Sequence, residues 1–364
     1  MFFLYNNKNF LIVFISIIIL SFFIHVKAKD NKFLKMKALS SGEYFVIFEN
    51  NINIYNFNFT KCYTIFTFND SKINPTLNDL KNISISEYNQ EENKLYILCL
   101  IKQYLFIYDV YNYQMKYHLV NKLLDYNNDH KNESHYYCLI PYNIKNDYNI
   151  SFIISFIYNN KICFLFFSLN SFHNITFLYD KWFEEKDLEP FHEKYGSDVS
   201  PPELICHILY LGTNYLECFY THFWRKKVKT IKFNIMSQPN SNDEKEVIKY
   251  DSYSKPYTNL MSAFSYNNQK TFFCAVDFYL NALCLDNNEE GFFQINNCLY
   301  NWNCLDLQLY FFNETEQFVL ICKKDNNVFI LSKLDYNSKT NNLSDICQYK
   351  IFTIYNHTLT TLFI

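Results

Sequence analysis

The sequence predicts an all-β fold assembled from six four-stranded antiparallel modules, and three observations carry that expectation. One short unit recurs: an apolar strand, a polar turn rich in Asn, and a second apolar strand. It is clearest at residues 94–111 (KLYILCLIKQYLFIYDVY) and returns at 43–59, 150–169, 204–224, 270–286 and 317–334. Val, Ile, Phe and Tyr suit a pleated, half-buried surface, and Asn-Asn, Gly-Thr-Asn and Asp-Asn-Asn tolerate the positive φ of tight turns, so each unit reads as a β-hairpin. The unit starts advance by 51, 56, 54, 66 and 47 residues, which is the spacing of a structural repeat. The composition also disfavours helices: Ala occurs five times and Gly four, against 32 Tyr and 38 Phe, so strands and aromatics must build the core.

Taken in order, residues 1–28 are expected to be a signal peptide. Lys8 precedes an apolar run at 10–24, and Val26-Lys27-Ala28 offers small or neutral residues before a cut. The fifteen residues of that run fall short of the roughly twenty that span a bilayer. No second such run follows, so residues 29–364 are expected to be one soluble domain, or one held at a membrane by a partner, and long enough for a continuous core.

If each hairpin supplies strands two and three of its module, the flanks should supply strands one and four. Residues 82–88 and 117–124 bracket the second hairpin, 135–142 and 175–183 the third, 258–266 and 291–296 the fifth, and 304–312 and 346–355 the sixth. Six such modules make a six-bladed β-propeller. The first hairpin has a fourth strand at 62–69 but little before it, and the chain ends with a spare strand, TLTTLFI at 358–364. Such a strand would bond into the first blade and close the ring, removing an open edge. The rival architecture, a pair of disulfide-rich β-sandwiches, requires two similar domains. The twelve cysteines instead divide into sets of unlike length and spacing.

Behind a signal peptide those cysteines should be oxidised and paired. Cys206 with Cys218 and Cys274 with Cys284 fall on opposing hairpin strands, close enough for a crosslink. Cys138 with Cys163 is the third expected pair, tying the first strand of the third module to its hairpin. Cys206, His207, Cys218 and His222 have tolerable spacing for zinc, but adjacent strand residues point to opposite faces, which favours the disulfide.

The residues that would carry chemistry are few. Glu184-Glu185 and Glu289-Glu290 are acid pairs, read as solvated turns rather than the acid and base of sugar hydrolysis. A sialidase would need three arginines, and Arg225 is the single Arg here. Four glycines leave no phosphate-cradling loop or dinucleotide fingerprint, and a net charge of −3 gives no reason to expect nucleic acid. No catalytic residue, metal ligand or cofactor is therefore expected. Two polar stretches break the repeat, 180–203 and 236–257, and loops of this kind carry binding on rigid scaffolds. Trp182, Phe183, Phe191, Tyr195 and Trp224 are the expected partner-binding aromatics, with Glu184, Glu185, Asp187 and Lys226 as a polar rim. Nine Asn-x-Ser/Thr sequons occur, and they mark surface only if modified.

The repeated apolar-Cys hairpins (LYILC, LICHI, FFCAV, VLIC), the leader and the Asn-, Lys- and Ile-rich composition of an AT-rich genome together resemble the cysteine-rich protective antigens of malaria parasites. The resemblance spans the mature chain and is architectural. It implies a secreted, non-enzymatic six-bladed propeller acting as an adaptor in a complex for host-cell invasion, with other secreted or surface proteins as partners. The alternatives are a secreted glycan-binding protein or glycoside hydrolase, and a six-cysteine β-sandwich surface protein, whose paired cysteine spacing is not found.

Overall fold

The computed structural model describes most of residues 31–363. Residues 1–30, 185–203, 236–248 and shorter connecting segments lie outside the described residues, and side chains are described as far as Ile235. Six antiparallel sheets are present among the described residues, each with its strands in chain order. The first is β1 (Phe33–Ala38), β2 (Tyr44–Phe48), β3 (Asn51–Tyr55) and β4 (Cys62–Thr67); the second is β5 (Ile83–Glu91), β6 (Lys94–Ile101), β7 (Tyr104–Asp109) and β8 (Gln114–Leu119). The third is β9 (Cys138–Tyr142), β10 (Ile150–Tyr158), β11 (Lys161–Asn170) and β12 (Asn174–Glu184); the fourth is β13 (Leu204–Tyr210), β14 (Asn214–His222), β15 (Lys227–Asn234) and β16 (Lys249–Tyr250). The fifth is β17 (Tyr257–Tyr266), β18 (Lys270–Asp277), β19 (Ala282–Asp286) and β20 (Phe293–Gln294); the sixth has five strands, β21 (Asp306–Phe312), β22 (Gln317–Lys323), β23 (Val328–Asn337), β24 (Asn342–Tyr355) and β25 (Thr358–Phe363).

The first strands of consecutive sheets touch in succession, β1 to β5, β5 to β9, β9 to β13, β13 to β17 and β17 to β21, and β21 also approaches β1. The first four sheets face one another in succession across apolar layers. Ile47, Ile54 and Phe45 of the first meet Ile97, Ile101 and Phe106 of the second; Leu98 and Ile107 of the second meet Phe152, Phe156 and Leu165 of the third; Phe164 and Phe166 of the third meet Leu216, Tyr220 and Phe233 of the fourth. This is the arrangement of a β-propeller, with each sheet a blade and its first strand innermost.

Position within the blade explains the repeated sequence unit. Every residue of β2 and β3 is buried, and so is nearly all of β10 and β11, because a middle strand is covered on both faces; apolar residues therefore dominate, and the polar exceptions Asn51, Asn53, Ser151 and Ser155 are buried with them. The outermost strands lose that cover, and β4, β8 and β12 carry only exposed and half-buried residues.

Five sequence expectations are corrected. A first strand does precede the first hairpin: β1 alternates Leu34, Met36 and Ala38, all buried, with half-buried Lys35 and Lys37, a period of two. The strand expected over 117–124 ends at Leu119, and helix α1 (Asn121–Asp129) follows, pinned by buried Leu123. In the fourth blade the hairpin supplies strands one and two, and strand three is β15. The basic cluster at 224–229, which the sequence offers as an anion-binding patch or a solvated turn after that hairpin, has its residues 227–229 in β15, where Ile231 and Phe233 are buried on either side of Lys232. Finally, β25 pairs with β24, from Lys350 opposite Phe363 to Tyr355 opposite Thr358. The terminal strand is thus a fifth strand of the last sheet, and its residues do not pair with the first blade.

Candidate functional site

Polar groups on the innermost strands join blade to blade. Glu87 of β5 accepts hydrogen bonds from the Ser40 backbone N–H at 3.0 Å and from the Ser40 hydroxyl. Ser84 and Ser86 of the same strand treat β9 as a backbone partner would: Ser84 Oγ accepts from the Leu139 N–H at 3.0 Å, and the Ser86 hydroxyl donates to the Leu139 carbonyl. Between β9 and β13 the sulfur of Cys138 takes over, accepting from the Cys206 N–H at 3.2 Å. Inner edges that no strand covers are in this way supplied with partners. Lys37 of β1 stands in the field of Glu87. Burial lowers the Lys37 ammonium from its ordinary pKa and raises the Glu87 carboxyl, each partly countered by the other.

The cysteines divide by register. Cys206 lies directly opposite Cys218 across β13 and β14 and is bonded to it, as the hairpin register predicted. His207, on the other face of β13, bonds through Nε2 to buried Glu217 at 3.0 Å instead of joining a metal set. Among the described residues no group of three His, Cys, Asp or Glu side chains is placed to hold a metal ion. Cys274 lies opposite Cys284 in the backbone register of β18 and β19, while their side chains lie outside the description. The expected Cys138–Cys163 bond is not made. Cys138 opposes Ser155 and Cys163 opposes Phe156, so β10 separates the two strands, and the thiols face different layers, Cys163 toward the second blade and Cys138 toward the fourth. Burial pushes the thiols of Cys99 and Cys163 far above their ordinary range, which keeps them protonated and unreactive.

Of the expected partner-binding aromatics, Trp182 and Phe183 fall on β12 and serve packing. Trp182 rests on the layer between blades two and three, donates from Nε1 to Asp180 at 2.8 Å, and carries Lys161 Nζ 5.9 Å from its ring centroid. Phe183 packs with Phe164 and Phe233 at centroid distances of 5.7 and 5.0 Å in the next layer. Adjacent strand positions face opposite ways, so the two rings enter different interfaces. Glu184 pairs with Lys161 at 3.3 Å on the surface. Phe191, Tyr195, Trp224, Glu185, Asp187, Lys226, Glu289 and Glu290 lie outside the described residues.

The structure draws attention to aromatics that sequence reasoning missed. Large apolar side chains are exposed on the outer strands and adjoining turns of the first three blades: Tyr63, Tyr113, Tyr117, Leu119, Phe177 and Leu178, with Tyr111 beside them. They are linked across blades. Phe66 of β4 meets Tyr117 of β8 at 5.8 Å, and Lys122 of α1 sits 5.4 Å over Phe177 of β12. At one end of this belt Tyr63 donates to Glu43 at 3.3 Å. The turn from β7 to β8 is fixed by Asp109, which accepts from the N–H groups of Tyr111 and Asn112 at 3.0 Å, and it holds Tyr113 in the left-handed region with φ of 54° and its side chain 73% exposed. Only the alternation of polar and apolar residues on β4, β8 and β12 hints at such a belt in the sequence, because exposure depends on which strand is outermost.

No family model and no curated protein matches the chain. Among solved structures it is similar to the fucose-specific lectin of Aleuria aurantia in a mercury-derivative form (10% identity, 89% of this chain, 97% of that one, TM-score 0.49). It is also similar to a triple arginine-to-alanine mutant of AofleA from Arthrobotrys oligospora (8% identity, 88% and 83%, TM-score 0.48). The WD40 domain of SCAP from fission yeast is a third (10% identity, 91% and 69%, TM-score 0.41). Likenesses this remote concern the chain's course and carry nothing about its ligands.

Proposed function

We propose that this chain is a secreted, non-enzymatic scaffold that binds another secreted or surface protein through the outer aromatic belt of its first three blades. The observation that carries the reading is the belt itself. Exposed aromatics grouped on the outer strands of a rigid frame are the surface type that protein partners cover, and Tyr is enriched at the centres of such interfaces. The leader-like residues 1–28 support secretion. The sequence resemblance supports an adaptor in a parasite surface or invasion complex, attached to any membrane through its partner. Among the described residues no helix is long and apolar enough to cross a membrane. Phe191, Tyr195 and Trp224 stay in the proposal as further partner-binding aromatics, on sequence grounds alone.

The test is a paired capture. Wild-type protein and a Tyr117→Ser/Phe177→Ser variant of matched thermal stability are used to recover crosslinked partners from intact cells. Recovery of one defined partner by the wild type and its loss from the variant is the expected result; equal recovery by both rejects the belt. A second reading, glycan binding, is favoured by one local feature, the exposed rings of Tyr113 and of Tyr63, the latter bonded to the carboxylate of Glu43, which offer stacking faces and acceptors for sugar hydroxyls. A glycan array separates the two: glycan binding abolished by Tyr113→Asn would replace the protein-scaffold reading with the lectin one.

A further inference from the structure

Three cysteines meet at the junction of the third and fourth blades and border one apolar layer. Cys206 of β13 is bonded to Cys218 of β14 within the fourth blade, and Cys138 of β9, the innermost strand of the third, is present as a thiol. The Cys138 sulfur lies against the backbone of Cys206, accepting from its N–H at 3.2 Å and donating to its carbonyl at 3.5 Å. Ser155 stands directly opposite Cys138 across β9 and β10, so the two side chains leave the sheet on the same face. The Ser155 hydroxyl oxygen is 3.3 Å from the Cys206 sulfur. Two cross-strand neighbours of the third blade thus touch Cys206, one at its backbone and the other at its sulfur.

We propose that Cys206 is a shared disulfide site with two partners, Cys218 in its own blade and Cys138 in the blade before it, and that the folded chain exchanges one for the other. Opposed Cα atoms of an antiparallel pair lie about 4.5–5.5 Å apart. A turn of Cys138 about its Cα–Cβ bond therefore carries its sulfur from the Cys206 backbone toward the Ser155 side, where the Cys206 sulfur lies. The Cys138 thiol gives up its proton, and the thiolate attacks the Cys206 sulfur. The new S–S bond forms as the bond to Cys218 breaks, and Cys218 leaves with the electron pair and takes up a proton. One disulfide and one thiol stand on each side of the exchange, so no oxidant or reductant is consumed. The other described thiols are placed elsewhere: Cys163 faces the second blade, Cys99 is buried between the first two, and Cys62 is on β4.

The exchange changes what the crosslink joins. The Cys206–Cys218 bond links residues 12 apart inside a hairpin that its own ladder already holds. A Cys138–Cys206 bond links residues 68 apart and ties the innermost strands of two blades, and the longer loop restricts the unfolded chain more. Cys218 is fully buried and leaves into a dry layer where a charged sulfur is costly, so exchange is slow enough for both forms to be trapped by alkylation.

The test is disulfide mapping of the full mature chain, held native at mildly alkaline pH, sampled over time, alkylated with N-ethylmaleimide in acidic guanidinium and digested without reduction. A peptide joining Cys138 to Cys206 is expected to grow to a plateau, matched by alkylated Cys218 and by loss of the Cys206–Cys218 peptide. It should grow faster as pH rises, because the thiolate attacks. Cys138→Ser should leave Cys206 with Cys218 alone. Cys218→Ala removes the competing partner at a site already apolar, and oxidised glutathione should then close the Cys138–Cys206 bond and slow hydrogen exchange in β9 and β13. Absence of the Cys138–Cys206 peptide from the wild-type chain at every time overturns the proposal, and this mapping decides even where Cys218→Ala does not fold. Pairing of Cys206 with Cys62, Cys99 or Cys163 as readily as with Cys138, or a folded Cys218→Ala chain that keeps both thiols, overturns it equally.

Discussion

Lys37 and Glu87 set opposite charges where water is scarce, and the cost of that burial is readable as pH dependence. The Glu87 carboxyl is held above its ordinary 4.5, chiefly by burial and in spite of its Ser40 donors and Lys37. Its contribution to stability is therefore complete below pH 4.5 and is lost as pH rises through the raised value. Lys37 runs the other way: held below its ordinary 10.5, it contributes fully above that value and loses its contribution as pH falls through the lowered one. The expected result for Glu87→Gln is a flatter stability curve upward from pH 4.5, measured by urea unfolding at a series of pH values. A slope identical to that of the wild type would mean that Glu87 titrates like a carboxyl in water. Comparing slopes matters here, since the substitution also strips Lys37 of its countercharge and lowers the whole curve.

At the scale of elements, the blades differ most where the chain leaves the repeat. The fourth hairpin slides inward to become strands one and two because β13 takes the innermost place between β9 and β17, and β15 then fills the third position. The sixth sheet does the opposite and gains an outer strand, since β24 and β25 form a hairpin at the end of the chain. A chain ending after Tyr355 would lose β25, whose paired neighbour among the described residues is β24. It is expected to fold, with an unchanged denaturant m-value and a modestly lower midpoint, and to self-associate more because β24 becomes an open edge. Loss of cooperative unfolding on that truncation would show that the terminal strand clasps the first blade.

For the whole molecule the decisive contacts are the apolar layers shared by neighbouring blades. Phe164 illustrates the point: it is fully buried on β11 and meets Phe183 of its own blade at 5.7 Å and Phe233 of the next at 5.1 Å. Phe164→Ala should cost about 3–5 kcal/mol, the lost transfer energy plus the cavity, and hydrogen exchange should report the loss in blades three and four together. Weakening confined to blade three would mean that the blades fold as separate units. Tyr113, on the rim, offers the contrast: its replacement should move stability by less than about 0.5 kcal/mol while acting on binding.

The sequence by itself determined the strand content, the number of repeats and the Cys206–Cys218 register. Each of these is set by neighbours along the chain: an apolar run has to be a covered strand, and a hairpin turn decides which residue opposes which. The alternation in residues 33–38 was legible too, but it was hidden by its place beside the leader and by two lysines, Lys35 and Lys37, that turn out to sit half-buried, Lys37 in the field of Glu87. Only the tertiary structure decided which strand of each blade is innermost, and with it everything about the site. Cys138 and Cys163 look pairable along the chain, yet β10 keeps them apart and sends them into different layers. Trp182 and Phe183 look like anchors in a charged loop, yet the strand alternation of β12 commits them to two interfaces. Phe66 and Tyr117 lie on different blades and far apart in the chain, yet their rings meet at 5.8 Å because two separate sheets pack face to face, a relation that no local pattern encodes.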